Sequence, residues 1–286
     1  MSDTLSSARQ FMLIHARLLE RRLFEVAFDD GEPALVGRVV AAYQNGDGGL
    51  GHALEPDLRC AESQPLFVEM GLRALHEAGC RDPELARSFC FYLQAVSDET
   101  GLVPMILPTA LDAPHAPHMG SSSLAPDLNP TAGICGLLHE QGVGHPWLSR
   151  ATETCCRLLL EDTPQEAHTL VSAAYLADHI PDRAMGERLH EAIAAALPQA
   201  SFFIAEAPVE GYGLTPLHLA PSPDSSWRPL FADAQIEGHL DDLLARQRAD
   251  GGWPISWEPP GPAAMLEWRG RWTLEAIRPL VAYGWV

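Results

Sequence analysis

The segment Gln44-Asn-Gly-Asp-Gly-Gly-Leu50 returns near the C-terminus as Gln247-Arg-Ala-Asp-Gly-Gly-Trp253, each copy at the end of one helical pattern and ahead of another. A turn reused at the same point of a helix–turn–helix unit implies a chain built from repeated helical hairpins, because such a unit cannot bury its apolar face alone and must stack on its neighbours. The repeat constrains the architecture far more than any motif constrains the chemistry.

The apolar periodicity between the repeats is helical and alternates in kind. Residues 33–45 carry Leu35, Val36, Val39, Val40 and Tyr43 on one face, and residues 82–96, 146–161, 183–197 and 234–248 are one-sided in the same way. Residues 63–78, 130–140 and 165–178 are apolar around most of their circumference, as expected of helices buried on more than one side. A final helix is expected over 271–283. A helix exposed on one face followed by a helix buried on most faces fits two concentric rings, so the expected fold is all-α: a single α/α toroid over residues 1–286, a barrel of about five to six hairpins. A superhelical stack is the alternative. Residues 211–232 must supply a short inner helix or close the ring irregularly.

Connections from the buried helices to the next one-sided helix are short, at Gly79–Asp82, Gly142–Pro146 and Ile180–Asp182. The long ones, 48–62, 98–128, 198–230 and 251–269, all follow one-sided helices. In an up-and-down ring they fall at one end, and that rim collects the irregular polar sequence in which binding and catalytic groups usually sit.

Composition removes several function classes. Acidic residues outnumber basic ones 38 to 19, for a formal charge of −19, so the surface repels phosphate backbones and no nucleic-acid partner is expected. Arg17, Arg21 and Arg22 share a helix with Glu20 and Glu25 and read as a solvated face. No apolar run is long enough for a membrane span. No basic stretch followed by an apolar run opens the chain, so no signal peptide is read and a cytoplasmic protein is expected. The six cysteines are scattered through helical patterns without a Cys-x-x-Cys pair, which points to buried free thiols and to no metal site. No cofactor is specified, and the oligomeric state stays open.

The Gln-x-x-Asp-Gly-Gly-[Leu/Trp] segments, with a degenerate copy at Asp98-Glu-Thr-Gly-Leu-Val-Pro104, resemble the prenyltransferase and squalene-cyclase repeat of the terpenoid cyclase and protein prenyltransferase superfamily. The resemblance covers residues 33–79 and 236–284. It implies an α/α toroid and apolar ligands. It also implies that Gln44, Asp47, Gln247, Asp250 and Trp253 are structural ties, the glutamine serving backbone groups at a helix end and the aromatic packing on the next hairpin. The chain departs from the family in its chemistry: it has neither the Asp-x-Asp-Asp acid segment nor the Asp-Asp-x-x-Asp magnesium cluster. Asp57 and Cys60 are separated by two residues, where the zinc-binding prenyltransferases separate theirs by one.

Candidate functional residues gather on the expected rim. His52, Glu55, Asp57, Arg59 and Cys60 fall within nine residues just ahead of a buried helix. Asp57 and Glu55 are the candidate catalytic carboxylates and His52 a candidate base, with Arg59 as a substrate contact. The structural alternative has Asp57 capping the following helix and Arg59 pairing with Glu55. The longest loop carries Asp112, His115, His118 and Asp127; His118 is taken as a substrate contact, and Asn129 before Pro130 as a helix N-cap. Trp227, Asp233, Trp257, Trp268 and Trp272 complete the set, since indoles beside carboxylates can line an apolar pocket or stabilise a cation. Packing between hairpins is the alternative for these tryptophans.

The expected function is an enzyme of terpenoid-cyclase type acting on an isoprenoid-like or other apolar small molecule through carboxylate acid–base or carbocation chemistry. A non-catalytic ligand-binding or scaffolding toroid and a carbohydrate-active α/α barrel using two carboxylates are the alternatives.

Overall fold

The computed structural model describes residues 3–120 and 124–286. Among these, twelve α-helices account for almost all regular structure: α1 (Asp3–His15), α2 (Leu18–Phe28), α3 (Pro33–Ala41), α4 (Pro65–Glu77), α5 (Pro83–Val96), α6 (Leu128–Glu140), α7 (Pro146–Glu161), α8 (Ala167–His179), α9 (Arg183–Ala196), α10 (Pro216–Leu219), α11 (Asp233–Ala245) and α12 (Pro262–Ala282). The one ladder among the described residues joins β1 (Val103–Pro104) to β2 (Pro126–Asp127), antiparallel. None of these helices is long and apolar enough to cross a membrane.

The helices start where the local chemistry says they should. α3, α4, α5, α7, α10 and α12 each open on proline, whose missing N–H costs nothing in the first turn. Asp82 accepts from the Leu85 N–H at 3.0 Å and Asp182 from the Met185 N–H at 3.1 Å, capping α5 and α9. At α6 the element opens behind Asp127, which accepts from the Leu128 N–H at 2.7 Å, while Asn129 keeps the N-cap position expected of it ahead of the regular helix. Asn129 lies inside the element with an extended backbone, and the regular helix runs on from Pro130.

The chain divides into two compact units, residues 33–200 and residues 3–32 with 201–286. In the first, the alternation expected from the sequence holds: α6 is buried without interruption from Pro130 to Leu138, and α4 and α8 are buried around most of their length. The helix α6 packs on α4, α7 and α8, while α5 and α9 keep an exposed face. All six cysteines are buried free thiols. Burial pushes the Cys90 thiol up to about 12 and those of Cys60 and Cys156 to about 11, which makes them core residues of low reactivity.

The second unit joins the two ends of the chain, with α12 packing on α1 and α2. One sequence expectation changes here and another is narrowed. The last helix begins at Pro262 and not near 271, so Trp268, expected in a loop, sits on the helix one turn before Trp272. Residues 211–232 hold only the four-residue α10 and a 3-10 turn at Arg228–Leu230.

The repeated turns are structural equivalents. The N–H of Asn45 donates to the Gly49 carbonyl at 3.0 Å, that of Arg248 to Gly252 at 2.9 Å and that of Asp98 to Leu102 at 3.0 Å; Gly48, Gly251 and Gly101 close each turn by donating back to Asn45, Arg248 and Asp98. Those three glycines have φ of 88°, 88° and 92°, a region in which only glycine is unstrained. Gln44 donates to the Gly48 carbonyl at 3.2 Å and Gln247 to the Gly251 carbonyl at 2.9 Å. Asp47 and Asp250 accept from the N–H groups of Gly49 and Gly252. Trp253 is fully buried, with its indole N–H on the Leu243 carbonyl at 2.7 Å.

Each turn is pressed against a helix one hairpin away. A Cβ on Gly48 would lie 2.9 Å from the Ser88 carbonyl on α5, one on Gly101 3.1 Å from the Ala151 Cα on α7, and one on Gly251 2.1 Å from the Ser7 carbonyl on α1. The N-terminal helix α1 therefore serves the last turn as α5 serves the first.

Candidate active site

Leu54 and Leu58, both fully buried, anchor the loop that follows the first turn. His52 and Ala53 adopt left-handed backbone conformations, with φ of 58° and 56°, and their N–H groups donate to the carbonyls of Ala61 and Cys60. This folds residues 52–61 back on themselves. α4 starts only at Pro65, behind Gln64, so Asp57 lies seven residues before Gln64 and does not cap the helix.

The same loop is laced to the longest loop of the chain. Leu58 forms an antiparallel bridge with His115, the Arg59 N–H donates to the Pro114 carbonyl at 2.9 Å, and the Ala116 N–H donates to the Asp57 carbonyl at 2.8 Å. The register brings His118 over Asp57: imidazole Nε2 lies 3.4 Å from carboxylate Oδ2, with the Asp57 side chain 2% exposed and that of His118 53% exposed. Glu55 is buried two residues away. His52 is exposed and Arg59 half-buried. Burying carboxylates is costly unless they are paired. A buried carboxylate within reach of a half-exposed imidazole orients that ring at a solvent-facing position, an arrangement able to move a proton.

The tryptophans belong to the other unit and divide into two kinds. Trp257 meets Trp268 edge-on at 5.0 Å, Trp272 at 5.7 Å and Tyr212 at 5.7 Å, and Trp272 lies 6.2 Å from His218. The Trp268 indole nitrogen is buried with no hydrogen-bond partner among the described residues. Trp227, by contrast, is a core residue at 2% exposure. Asp233 is an 84%-exposed residue at the start of α11, ion-paired to Arg228.

A third cluster is not among the residues expected from the sequence. On α4, Glu69, Arg73 and His76 share one face; on α8, Ser172, Tyr175 and His179 do the same; on α6, Gly133, Gly136 and Glu140 face both. Glu69 accepts from Arg73 at 2.8 Å and from the Ser172 hydroxyl at 3.4 Å, and the Arg73 guanidinium stands 5.2 Å over the Tyr175 ring. At the C-terminal ends, His76 Nδ1 lies 2.9 Å from Glu140 Oε2, and the rings of His76 and His179 meet edge-on at 5.4 Å. Burial works to raise the Glu140 pKa, but the hydrogen bond from His76 and the charges of His76, His179 and Arg81 together hold it below the ordinary value. Burial lowers that of His179. The heptad-like spacing of polar residues inside helices that are otherwise apolar all round was the available signal; counting only apolar positions passes over it.

A groove of about 400 Å³ between α8 and α9 is lined by Asp178, Arg183, Glu187, His190 and Glu191 among others. Its charged wall does not suit an apolar ligand, and no residue of the 52–60 loop lines it. No protein-family model matches the chain, and no curated protein matches it.

Proposed function

We propose that the chain is an acid–base enzyme of terpenoid-cyclase type, acting on an isoprenoid-like apolar small molecule within an α/α toroid of about five to six hairpins. The observation that carries the reading is the pairing of buried Asp57 with half-exposed His118 at 3.4 Å. In it His118 is the proton carrier and Asp57 fixes its orientation, with Glu55 buried and Arg59 half-buried on the same loop. The Asp57–His118 pair offers an acid in a chain that lacks the family's Asp-x-Asp-Asp segment. The toroid part of the reading is supported by the three equivalent turns and by the docking of the last turn on α1, as a ring requires.

The test begins with a thermal-shift screen of prenyl alcohols, prenyl diphosphates and oligosaccharides, followed by turnover of whichever class stabilises the protein. His118→Ala and Asp57→Asn are expected to stay folded by circular dichroism and to lose about 10²–10⁴-fold in turnover. Full turnover by both folded variants overturns the assignment. Stabilisation by oligosaccharides alone would favour the carbohydrate-active alternative, and binding without turnover the ligand-binding one.

A further inference from the structure

The C-terminal ends of three buried helices converge on two imidazoles and a carboxylate. His76 lies in the last turn of α4, Glu140 ends α6 and His179 ends α8. One potential ligand atom from each lies within 4.8 Å of the other two. Ligands about 2.1 Å from a tetrahedral zinc ion sit about 3.4 Å apart, so the three side chains need only small rotations to close on a metal. They come from three different helices, held in place by packing that the glycines of α6 make possible: a Cβ on Gly136 would lie 2.2 Å from the Tyr175 carbonyl.

We propose that His76, Glu140 and His179 bind a divalent first-row transition-metal ion, with zinc as the reference metal. Two imidazoles and one carboxylate are borderline ligands suited to zinc, iron, cobalt or nickel and poorly suited to magnesium or calcium. Three protein ligands leave at least one coordination position for water, and the site has access to solvent, the side chains of His76 and Glu140 being 32% and 19% exposed. Three helix C-termini present the negative ends of their dipoles to a cation placed there. Glu140 and Asp178 bring negative charge to the site, opposed by the guanidinium of Arg81.

This site is separate from the Asp57–His118 pair. Asp57 precedes the N-terminus of α4 and His76 lies in its last turn, and thirteen helical residues span about 20 Å. The two readings therefore stand or fall apart.

The experiment is a titration of the chelator-treated full chain with Zn²⁺ by calorimetry and with Co²⁺ by visible absorption. One equivalent is expected to bind, with the d–d bands of a low-coordinate cobalt site. His76→Ala and His179→Ala are each expected to weaken binding by more than the roughly 10–100-fold that loss of an outer-shell partner costs. Asp57→Asn and the double variant His115→Ala/His118→Ala are expected to leave it unchanged. X-ray absorption of the zinc-loaded wild type, which needs no variant to fold, is expected to report two imidazoles and a carboxylate. Absence of uptake, or uptake that survives loss of His76 and His179 but not of His115 and His118, overturns the proposal and leaves a plain ion pair.

Discussion

The indole N–H of Trp147 donates to the carbonyl of Gly101 at 3.1 Å, and so performs at the degenerate turn what a glutamine performs at the two intact ones. Ser97 occupies the position of Gln44 and Gln247, four residues before the glycine, and its side chain is too short to reach back. The acceptor is conserved by geometry while its donor comes from another helix. Trp147→Phe should therefore leave a buried carbonyl unserved, at about 1–3 kcal/mol. Adding Ser97→Gln should recover part of that loss. Urea denaturation of wild type, single and double variants decides it; no recovery in the double variant would mean that the turns are not interchangeable.

Gly251 and Gly48 share a φ of 88° but not the same clearance, since an added Cβ would lie 2.1 Å from the Ser7 carbonyl in one case and 2.9 Å from the Ser88 carbonyl in the other. Alanine at either position strains the backbone by about 1–3 kcal/mol. Gly251→Ala should be the worse of the two because backbone on α1 must also move. Comparison of their thermal midpoints tests the order.

Gly136→Ala should force α6 away from α8, because the new methyl meets the backbone of Tyr175 and not a movable side chain. Overpacking of this kind costs about 1–3 kcal/mol. It also separates Glu140 from His179, so the variant should bind zinc more weakly than wild type even where it remains folded, as calorimetry at a temperature below its midpoint will show.

Glu166 caps α8, accepting from the N–H groups of His168 and Thr169 at 3.1 and 2.9 Å and from the His168 ring. Burial works to raise its pKa, yet the His168 hydrogen bond, the Thr169 N–H and the His168 charge outweigh it and pull the pKa down from 4.5 to about 2. A carboxylate depressed in the folded state stabilises the fold above its unfolded pKa, and that contribution disappears as pH falls from 4.5 towards 2. The side chain is 32% exposed, which reduces the contribution to about 1–2 kcal/mol. Glu166→Gln should flatten the stability profile in this acid window, as measured by denaturation at a series of pH values.

The helices were legible because each is a local pattern. The span expected for α7, 146–161, is the one observed, and those expected for α5 and α9 differ from the structure by a residue. The start of α12 is obscured in the sequence because Pro262 follows Pro259, Pro260 and Gly261, residues that also mark a loop. The scaffold role of Gln44, Asp47, Gln247, Asp250 and Trp253 follows from the resemblance of the repeated segments, and the turns bear it out: each glutamine holds its own turn glycine's carbonyl and also reaches a neighbouring helix, Gln44 at Ser88 and Gln247 at Thr4.

What the sequence determined by itself was the helical repeat, the burial alternation and the chemistry of each turn, all of which depend on neighbours within about ten residues. Tertiary structure decided which distant side chains meet. Asp57 and His118 are joined by a register between two loops, and His76, Glu140 and His179 by the close approach of three helices that the glycines of α6 permit. No local pattern encodes those meetings, because they follow from how whole helices and loops pack, and packing is a property of the assembled core.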